Sequence, residues 1–215
     1  MSLIKKSCWF LFLLLLIYVD VEAQTSVGIR GGISQSSLTY RPHIASMDYS
    51  VPGISTNTYS LVIEQFFSKN AGAQIEFQSL TIGYTGTDTL NTGNETRFEY
   101  IKIPLLSNFY FGNTGRFHIK MGPHFGYLLD VKDVARVREG ELLIPTYGQP
   151  GDEPKTFMYG LTAGVGVSKL FGKSTIEGEV RFSYEFGRPE SQNRIFDINF
   201  TNLEFTLAYL FQVLK

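Results

Sequence analysis

Apolar and polar residues alternate strictly along the last segment of the chain, and the same pattern recurs throughout the sequence. The apolar set of this segment is Leu203, Phe205, Leu207, Tyr209 and Phe211. The residues between them are Asn202, Glu204, Thr206, Ala208, Leu210 and Gln212. Because successive side chains of a strand point to opposite faces, the pattern predicts a strand with one apolar and one mainly polar face.

The first 23 residues have the features of a secretory signal peptide. Two lysines precede an apolar stretch over residues 9–19, and Val21-Glu22-Ala23 then places small residues at the two positions that determine cleavage. The apolar stretch is shorter than the roughly 20 residues that a membrane-spanning helix needs. We therefore expect a signal peptide over residues 1–23, cleavage near Ala23/Gln24, and a single domain over residues 24–215.

Composition narrows the class of protein further. The single cysteine, Cys8, lies before the apolar stretch, so the exported domain is expected to fold without a disulfide. With 19 basic and 20 acidic residues the net charge is −1, which does not favour a nucleic-acid partner. Eighteen Phe, twelve Tyr and 21 Gly fit strands and turns better than helices.

Eight strand-like segments follow the signal peptide, joined by connections that alternate in length. The short connections are 68–70, 112–115 and 172–174, and the long polar ones are 35–57, 86–96, 130–155 and 187–197. Short turns at one end and long loops at the other are typical of barrels in bacterial outer membranes. The sequence thus predicts an all-β fold: an eight-stranded antiparallel up-and-down transmembrane β-barrel with short periplasmic turns and long extracellular loops.

Alternation alone does not decide which face of the strands points outward, because a soluble ligand-carrying barrel would turn its apolar set inward. Compact polar residues with few lysines on the polar face favour an apolar exterior. Aromatic residues near strand ends are expected to form girdles at two lipid–water boundaries. They are Tyr59, Phe66, Phe67, Phe98, Tyr100, Phe109, Tyr110, Phe111, Tyr184, Phe186, Tyr209 and Phe211.

An apolar exterior would leave charged side chains enclosed in the lumen. This predicted luminal network consists of Arg30, Glu64, Glu76, Lys102, Lys120, Glu177, Glu179, Arg181, Glu185 and Glu204. Charges withdrawn from water must pair or form hydrogen bonds, and four cations can largely pair with six anions. Such a network is expected to plug a narrow eight-stranded barrel, and an ion or proton path is the functional alternative.

Four motifs, taken in order and spacing, resemble the PorT-like outer-membrane β-barrel family of Gram-negative bacteria. They are Phe67-Ser68-Lys69-Asn70, Gln74-Ile75-Glu76-Phe77, Tyr100-Ile101-Lys102-Ile103-Pro104-Leu105-Leu106 and Gly122-Pro123-His124-Phe125-Gly126-Tyr127-Leu128-Leu129. His124 stands where the family often has Tyr. The resemblance implies a small outer-membrane barrel with no catalytic residues to transfer. The founding member is tied to secretion of cargo across the outer membrane.

Catalytic candidates are few. A membrane-embedded hydrolase would need a nucleophile, a histidine and a carboxylate in register. His118 and His124 take inward positions on predicted strands, and His43 lies in a long loop without suitable spacing around it. We therefore expect no enzyme activity, and no catalytic, cofactor-binding or metal-binding residues.

The main hypothesis is an integral outer-membrane barrel with a plugged polar lumen and a structural or binding role carried by its extracellular loops. Its expected partners are outer-membrane lipid, barrel-assembly machinery during biogenesis, and an extracellular or membrane-protein partner that the sequence does not identify. Tyr209 and Phe211 near the end of the chain resemble the terminal signal that such machinery recognises. The alternatives are an accessory component of an outer-membrane secretion or assembly machine, and a soluble periplasmic ligand-binding barrel.

Overall fold

The chain folds as a closed antiparallel sheet. The computed structural model describes residues 24–42, 49–87, 93–135, 156–186 and 196–214; the predicted signal peptide and His43 lie outside them. The strands are β1 (Gln24–Pro42), β2 (Tyr49–Val51), β3 (Ser55–Ser68), β4 (Ala71–Thr87), β5 (Gly93–Gly112), β6 (Gly115–Ala135), β7 (Phe157–Phe171), β8 (Ser174–Glu185) and β9 (Phe196–Leu214). Pairing of β1 with β9 closes the barrel. Within the described ranges, no helix is long and apolar enough to cross a membrane.

The nine strands make an eight-stranded barrel because β2 and β3 follow one path along the same edge of β1. β3 pairs with residues 24–35 of β1, and β2 pairs with residues 38–40. Pro52, which has no N–H to donate, lies in the interruption between them. The predicted eight-stranded antiparallel architecture is therefore confirmed.

The three predicted short turns join β3 to β4, β5 to β6 and β7 to β8. Gly112 (φ 114°) and Gly172 (φ 64°) adopt backbone angles that other residues rarely take, which explains glycine at these positions. Strand β1 begins and β9 ends at this same end of the barrel. We call it the turn end, and the opposite end the loop end.

Near the turn end the wall is apolar outside and polar inside. Leu61, Val167 and Leu207 are each more than 60 % exposed on the outer surface. Their chain neighbours Ser60, Ser168 and Thr206 point inward and are buried. The period-two reading therefore assigns the two faces correctly in this half of the barrel.

Near the loop end of β1, β4 and β5 the two faces exchange character, with apolar side chains inside and polar side chains outside. Strands β1, β4, β5 and β6 continue into segments that the sequence assigned to loops, so the predicted loops 35–57, 86–96 and 130–155 are shorter than expected. An apolar layer fills the barrel here; it consists of Leu38, Leu80, Ile82, Tyr84, Phe98, Tyr100, Leu128, Met158 and Phe200. Ser37 and Arg97 point outward instead. An apolar interior with a polar exterior is the arrangement of a barrel wall that faces water.

Four aromatic residues assigned to the lipid-facing girdles lie inside the barrel, so that assignment was wrong for them. They are Phe66, Phe98, Tyr100 and Tyr110, and none is more than 7 % exposed. Phe98 and Tyr100 belong to the apolar layer, whereas Phe66 and Tyr110 pack against each other near the turn end, with ring centroids 5.2 Å apart. Nearness to a strand end does not tell whether a side chain points into or out of the barrel. Its odd or even position relative to its neighbours along the strand does, because successive side chains point to opposite faces.

At the loop end, one buried hydroxyl group links β1 by hydrogen bonds to β4 and to the segment that leads into β3. Ser36 Oγ donates to the carbonyl oxygen of Gly83 (2.8 Å) and accepts from the N–H groups of Gly83 (3.1 Å) and Ile54 (3.3 Å). Gly53 passes so close that a Cβ there would lie 1.5 Å from the carbonyl oxygen of Ser36. Ser36 thus supplies the hydrogen bonds that a regular ladder would provide where the β2–β3 strand is interrupted.

Replacing Ser36 with Ala is expected to destabilise the barrel by about 1–3 kcal/mol, because two backbone N–H groups and a carbonyl lose a buried partner. Reversible urea unfolding in lipid vesicles measures the change. Ser37→Ala, on the opposite face of β1, is the matched control and should stay within about 0.5 kcal/mol of wild type. Equal effects of the two substitutions would contradict the role assigned to Ser36.

Candidate functional site

All ten residues of the predicted luminal network point into the barrel, and none is more than 3 % exposed. They come from seven strands: Arg30 from β1, Glu64 from β3, Glu76 from β4, Lys102 from β5, Lys120 from β6, Glu177, Glu179, Arg181 and Glu185 from β8, and Glu204 from β9. Three of the six carboxylates lie on β8, so this one strand supplies half of the negative charge.

Two arginines form the centre of the network. Arg181 binds Glu76 with two parallel hydrogen bonds (2.9 and 3.0 Å), and its Nε donates to Glu179 (2.9 Å). Arg30 donates to Glu179 (3.1 Å) and Glu177 (3.3 Å), and its Nε lies 3.2 Å from Glu76. The planar guanidinium groups suit this arrangement because each can address two carboxylates at once.

A second cluster lies towards the turn end. Lys120 donates to Glu177 and to the side-chain oxygen of Gln74, both at 2.7 Å. The Tyr110 hydroxyl lies 2.5 Å from Glu64 and 2.8 Å from Glu177. Arg116 stacks over the Tyr110 ring, with its guanidinium carbon 4.3 Å from the ring centroid, and so covers the network at this end by a cation–π contact.

A third cluster lies directly below the apolar layer. Lys102 donates to Ser183 (2.7 Å) and lies 3.7 Å from Glu185 and 3.6 Å from Glu204. His124 is hydrogen bonded to Glu185 through Nε2, and its Nδ1 lies 2.7 Å from Thr162 Oγ1. Above these groups the barrel contains apolar side chains, with Phe98 and Phe200 in edge-to-face contact at 5.5 Å.

The sequence placed His118 and His124 inward, and they lie next to Glu179 and Glu185 in the lumen. It did not assign Tyr110, Gln74 and Asn108 to the network, although each contacts a luminal carboxylate or lysine. Inward parity on their strands was the available signal, because an uncharged side chain with that parity reaches the same charges.

Two inward glycines make room for the histidines. A Cβ on Gly160 would lie 2.7 Å from the His124 ring, and one on Gly166 would lie 2.6 Å from the His118 ring. Glycine at these two positions therefore allows the histidine rings to pack closely against the strand. His118 Nε2 lies 3.5 Å from Glu179, and neither ring nitrogen of His118 makes a hydrogen bond with the described residues.

His118, Glu177 and Glu179 are close enough to hold a metal ion, with potential ligand atoms within 4.8 Å of one another. Arg30 and Lys120 already contact these carboxylates, and Arg181 binds Glu179. A divalent cation placed here would face three cationic side chains at close range. The charge of the surroundings therefore disfavours a metal at this position.

The outer surface at the loop end carries a small exposed ion cluster. Lys132 lies 2.8 Å from Glu99 and 3.0 Å from Asp130. The hydrogen bond from Lys132 lowers the pKa of Asp130, and the hydrogen bonds to Glu99 and Asp130 raise the pKa of Lys132. Because these groups are exposed, their pairing marks where the wall meets water and adds little stability.

The described interior is thus a set of paired charges between an apolar layer and an arginine stack. Each of the ten charged groups lies within 4 Å of an opposite charge. The contacts join strands far apart in sequence; Arg30 and Glu179 are 149 positions apart. A closed eight-stranded barrel with an apolar outer belt and a polar interior is the architecture of small outer-membrane barrels.

The chain belongs to the family of the outer membrane protein beta-barrel domain, whose model matches residues 22–188. This match supports an outer-membrane protein and a location in that membrane, in agreement with the sequence-based expectation. It does not distinguish the PorT-like group within such barrels. A search of curated proteins finds no match to the sequence.

The chain is similar to several solved structures with which it shares little sequence. The outer membrane protein OprG from Pseudomonas aeruginosa is 12 % identical with a TM-score of 0.54, over 89 % of this chain and 99 % of OprG. Neisserial surface protein A is 9 % identical with a TM-score of 0.45, over 88 % and 98 % of the two chains. AlkL, determined in DMPC bilayers by solid-state NMR, is 11 % identical with a TM-score of 0.49, over 90 % and 92 %.

Removing one central cation should destabilise the barrel more than removing that cation together with a partner anion. Arg181→Met is expected to cost about 3–5 kcal/mol, because Glu76 and Glu179 lose one of their two arginine partners in a buried site. Adding Glu76→Gln should recover at least about 1 kcal/mol of that loss, since one uncompensated charge is removed. Urea unfolding in lipid vesicles measures both variants.

Lys173→Met is the control for this experiment, because it removes an exposed positive charge in a turn. It should change stability by no more than about 0.5 kcal/mol. The coupling of these charges would be contradicted by an Arg181→Met variant that is as stable as the control. It would also be contradicted by a double variant that is less stable than Arg181→Met alone.

Proposed function

We propose that the protein is a non-conducting outer-membrane barrel whose rigid wall presents the long connections of its loop end to the outside of the cell. The observation that carries this proposal is the sealed interior. Arg181, Lys102 and Lys120 are each no more than 1 % exposed, and Leu38, Phe98 and Phe200 above them are fully buried. A barrel of this strand number has no room for an aqueous pore once side chains of this size fill it.

The apolar layer argues against the alternative of an ion or proton path. An ion leaving the charged clusters towards the loop end would have to pass between Leu80, Ile82 and Met158, which offer no polar group to replace its water. The paired charges therefore serve to fill and order the barrel. The soluble periplasmic alternative fits poorly, because the outer wall exposes large apolar residues such as Leu61 and Leu207.

Purified protein in planar bilayers is expected to give no discrete conductance steps, since the apolar layer excludes hydrated ions. Insertion is verified in the same preparation by resistance of the barrel to added protease. An open porin in the same bilayers serves as the positive control. Reproducible ion-selective steps from the wild-type protein would contradict the sealed-lumen proposal and favour the ion path.

A binding role rests on the connections of the loop end, the longest of which spans residues 136–155 and lies outside the described residues. Loops carried by a rigid scaffold are where binding specificity is usually found. Our second candidate is an accessory role in secretion or assembly, which rests on the PorT-like motifs. Two of these motifs pair with each other in the wall, as in Ile103↔Phe125 and Pro104↔His124. These two motifs therefore have a structural role in the β5–β6 hairpin of the barrel wall. This favours the first candidate, the barrel that presents its loops, over a role in secretion.

Replacing residues 138–153 with a short Gly/Ser linker should abolish partner binding without affecting the barrel. Whole-cell crosslinking should give a specific crosslinked species with wild-type protein that this variant lacks. Heat-modifiable migration in gels shows that the variant barrel is folded, and the same replacement of residues 88–92 is the matched control. An unchanged crosslinked species in the 138–153 variant, or none in wild type, would contradict a binding role for this loop; a secretion component among the crosslinked proteins would favour the second candidate.

A further inference from the structure

The apolar outer belt reaches much higher on one side of the barrel than on the other. On β7 it extends from Phe171 at the turn end to Phe157, roughly 14 residues along the strand. On β3 its last apolar member is Tyr59, roughly nine residues from the turn, and Asn57 and Ser55 follow outward. With a rise of about 3.3 Å per residue and a strand tilt of about 40°, the tops differ by roughly 12 Å.

The additional height is formed by one continuous aromatic surface. This aromatic patch consists of Phe125, Tyr127, Phe157, Tyr159 and Tyr184 on strands β6, β7 and β8, and Phe186 directly after β8. Successive ring centroids are 5.1–6.4 Å apart from Tyr184 through Phe186, Tyr159 and Phe157 to Phe125. Tyr127, Phe157 and Tyr159 are each at least 50 % exposed.

The opposite wall is polar at a lower level. On β4 the last apolar residue at an outward position is Phe77, and the next outward positions towards the loop end are Ser79 and Thr81. On β1, Gln35 follows Ile33 outward. An upright barrel in a flat bilayer would therefore leave the aromatic patch in water, or would immerse the hydroxyl and amide groups of β1, β3 and β4 in hydrocarbon. Both arrangements are unfavourable.

We propose that the barrel is tilted in the membrane, so that the aromatic patch contacts the acyl chains of membrane lipid while the β1, β3 and β4 wall is raised. The patch is continuous with the lipid-facing belt through Leu161 and Phe182, which lie directly below it on β7 and β8 and are both about half exposed. Continuity with a surface that already contacts lipid identifies lipid as the occupant. Tilting is the ordinary response of a membrane protein to mismatch with the bilayer thickness.

Single-tryptophan variants test this placement, because the only native tryptophan is Trp9, which is replaced by Phe in every variant. Phe157→Trp and Ser55→Trp lie at nearly equal distance from the turn end on opposite walls, and Leu207→Trp in mid-belt is the reference. In bilayers of phosphatidylcholine brominated along its acyl chains, the Phe157→Trp variant should be quenched at least about half as strongly as the Leu207→Trp variant. The Ser55→Trp variant should be quenched much less. Phe186→Trp is a second reporter on the patch in case Phe157→Trp does not fold.

A second pair at the turn end separates a tilted barrel from a locally thickened bilayer. In a tilted barrel the wall that carries the patch is lowered and the opposite wall raised, so Phe67→Trp should be quenched more than Phe171→Trp. Equal quenching of Phe157→Trp and Ser55→Trp, or no quenching of the patch reporters, would overturn the proposal. Strong quenching of Phe157→Trp together with equal quenching of the two turn-end variants would show bilayer thickening and would also overturn the tilt.

Discussion

The medium outside the wall decides what each strand must place on its two faces. Where hydrocarbon surrounds the barrel, Leu, Val, Ile and Phe point outward, and the polar residues between them are enclosed. Where water surrounds it, the same strands carry Ser, Thr and Arg outward and enclose Leu38, Phe98 and Phe200. One period-two pattern therefore has opposite meanings at different heights of a single strand. The charged interior, the apolar layer above it and the unequal belt all follow from this constraint.

The enclosed charges are costly to remove from water, and their arrangement shows how that cost is offset. Arg181 and Arg30 each contact at least two carboxylates, and the carboxylates come from both the first and the second half of the chain. A buried ion pair is not in itself a strong source of stability, but a misplaced partner leaves an uncompensated charge. The network thus penalises wrong strand registers and favours the pairing of β1 with β9 that closes the barrel.

The sequence predicted the strand number, the short turns and the orientation of the charged residues, because each depends on local spacing or on residues that tolerate turn conformations. It assigned the loop-end parts of β1, β4, β5 and β6 to loops. In these parts the outward residues are polar, and a strand with polar outward residues was taken for a loop because lipid-facing strands were expected to be apolar outside. It also assigned Phe66 and Tyr110 to a lipid boundary from their nearness to strand ends. Parity along β3 and β5 would have placed both inside. The contribution of Ser36 could not be read, because it depends on an interruption between β2 and β3.

By itself, the sequence determined that the chain forms a barrel of alternating faces and which charged side chains share the polar face, since alternation is a property of the strand alone. Only the tertiary structure decided which charges meet, that an apolar layer lies above them, and that the outer belt rises higher on β6, β7 and β8. Those features depend on how the strands are staggered around the closed sheet. The stagger brings residues that are far apart in the chain to the same level along the barrel axis. That level cannot be read from a local sequence pattern, because it depends on the register between strands.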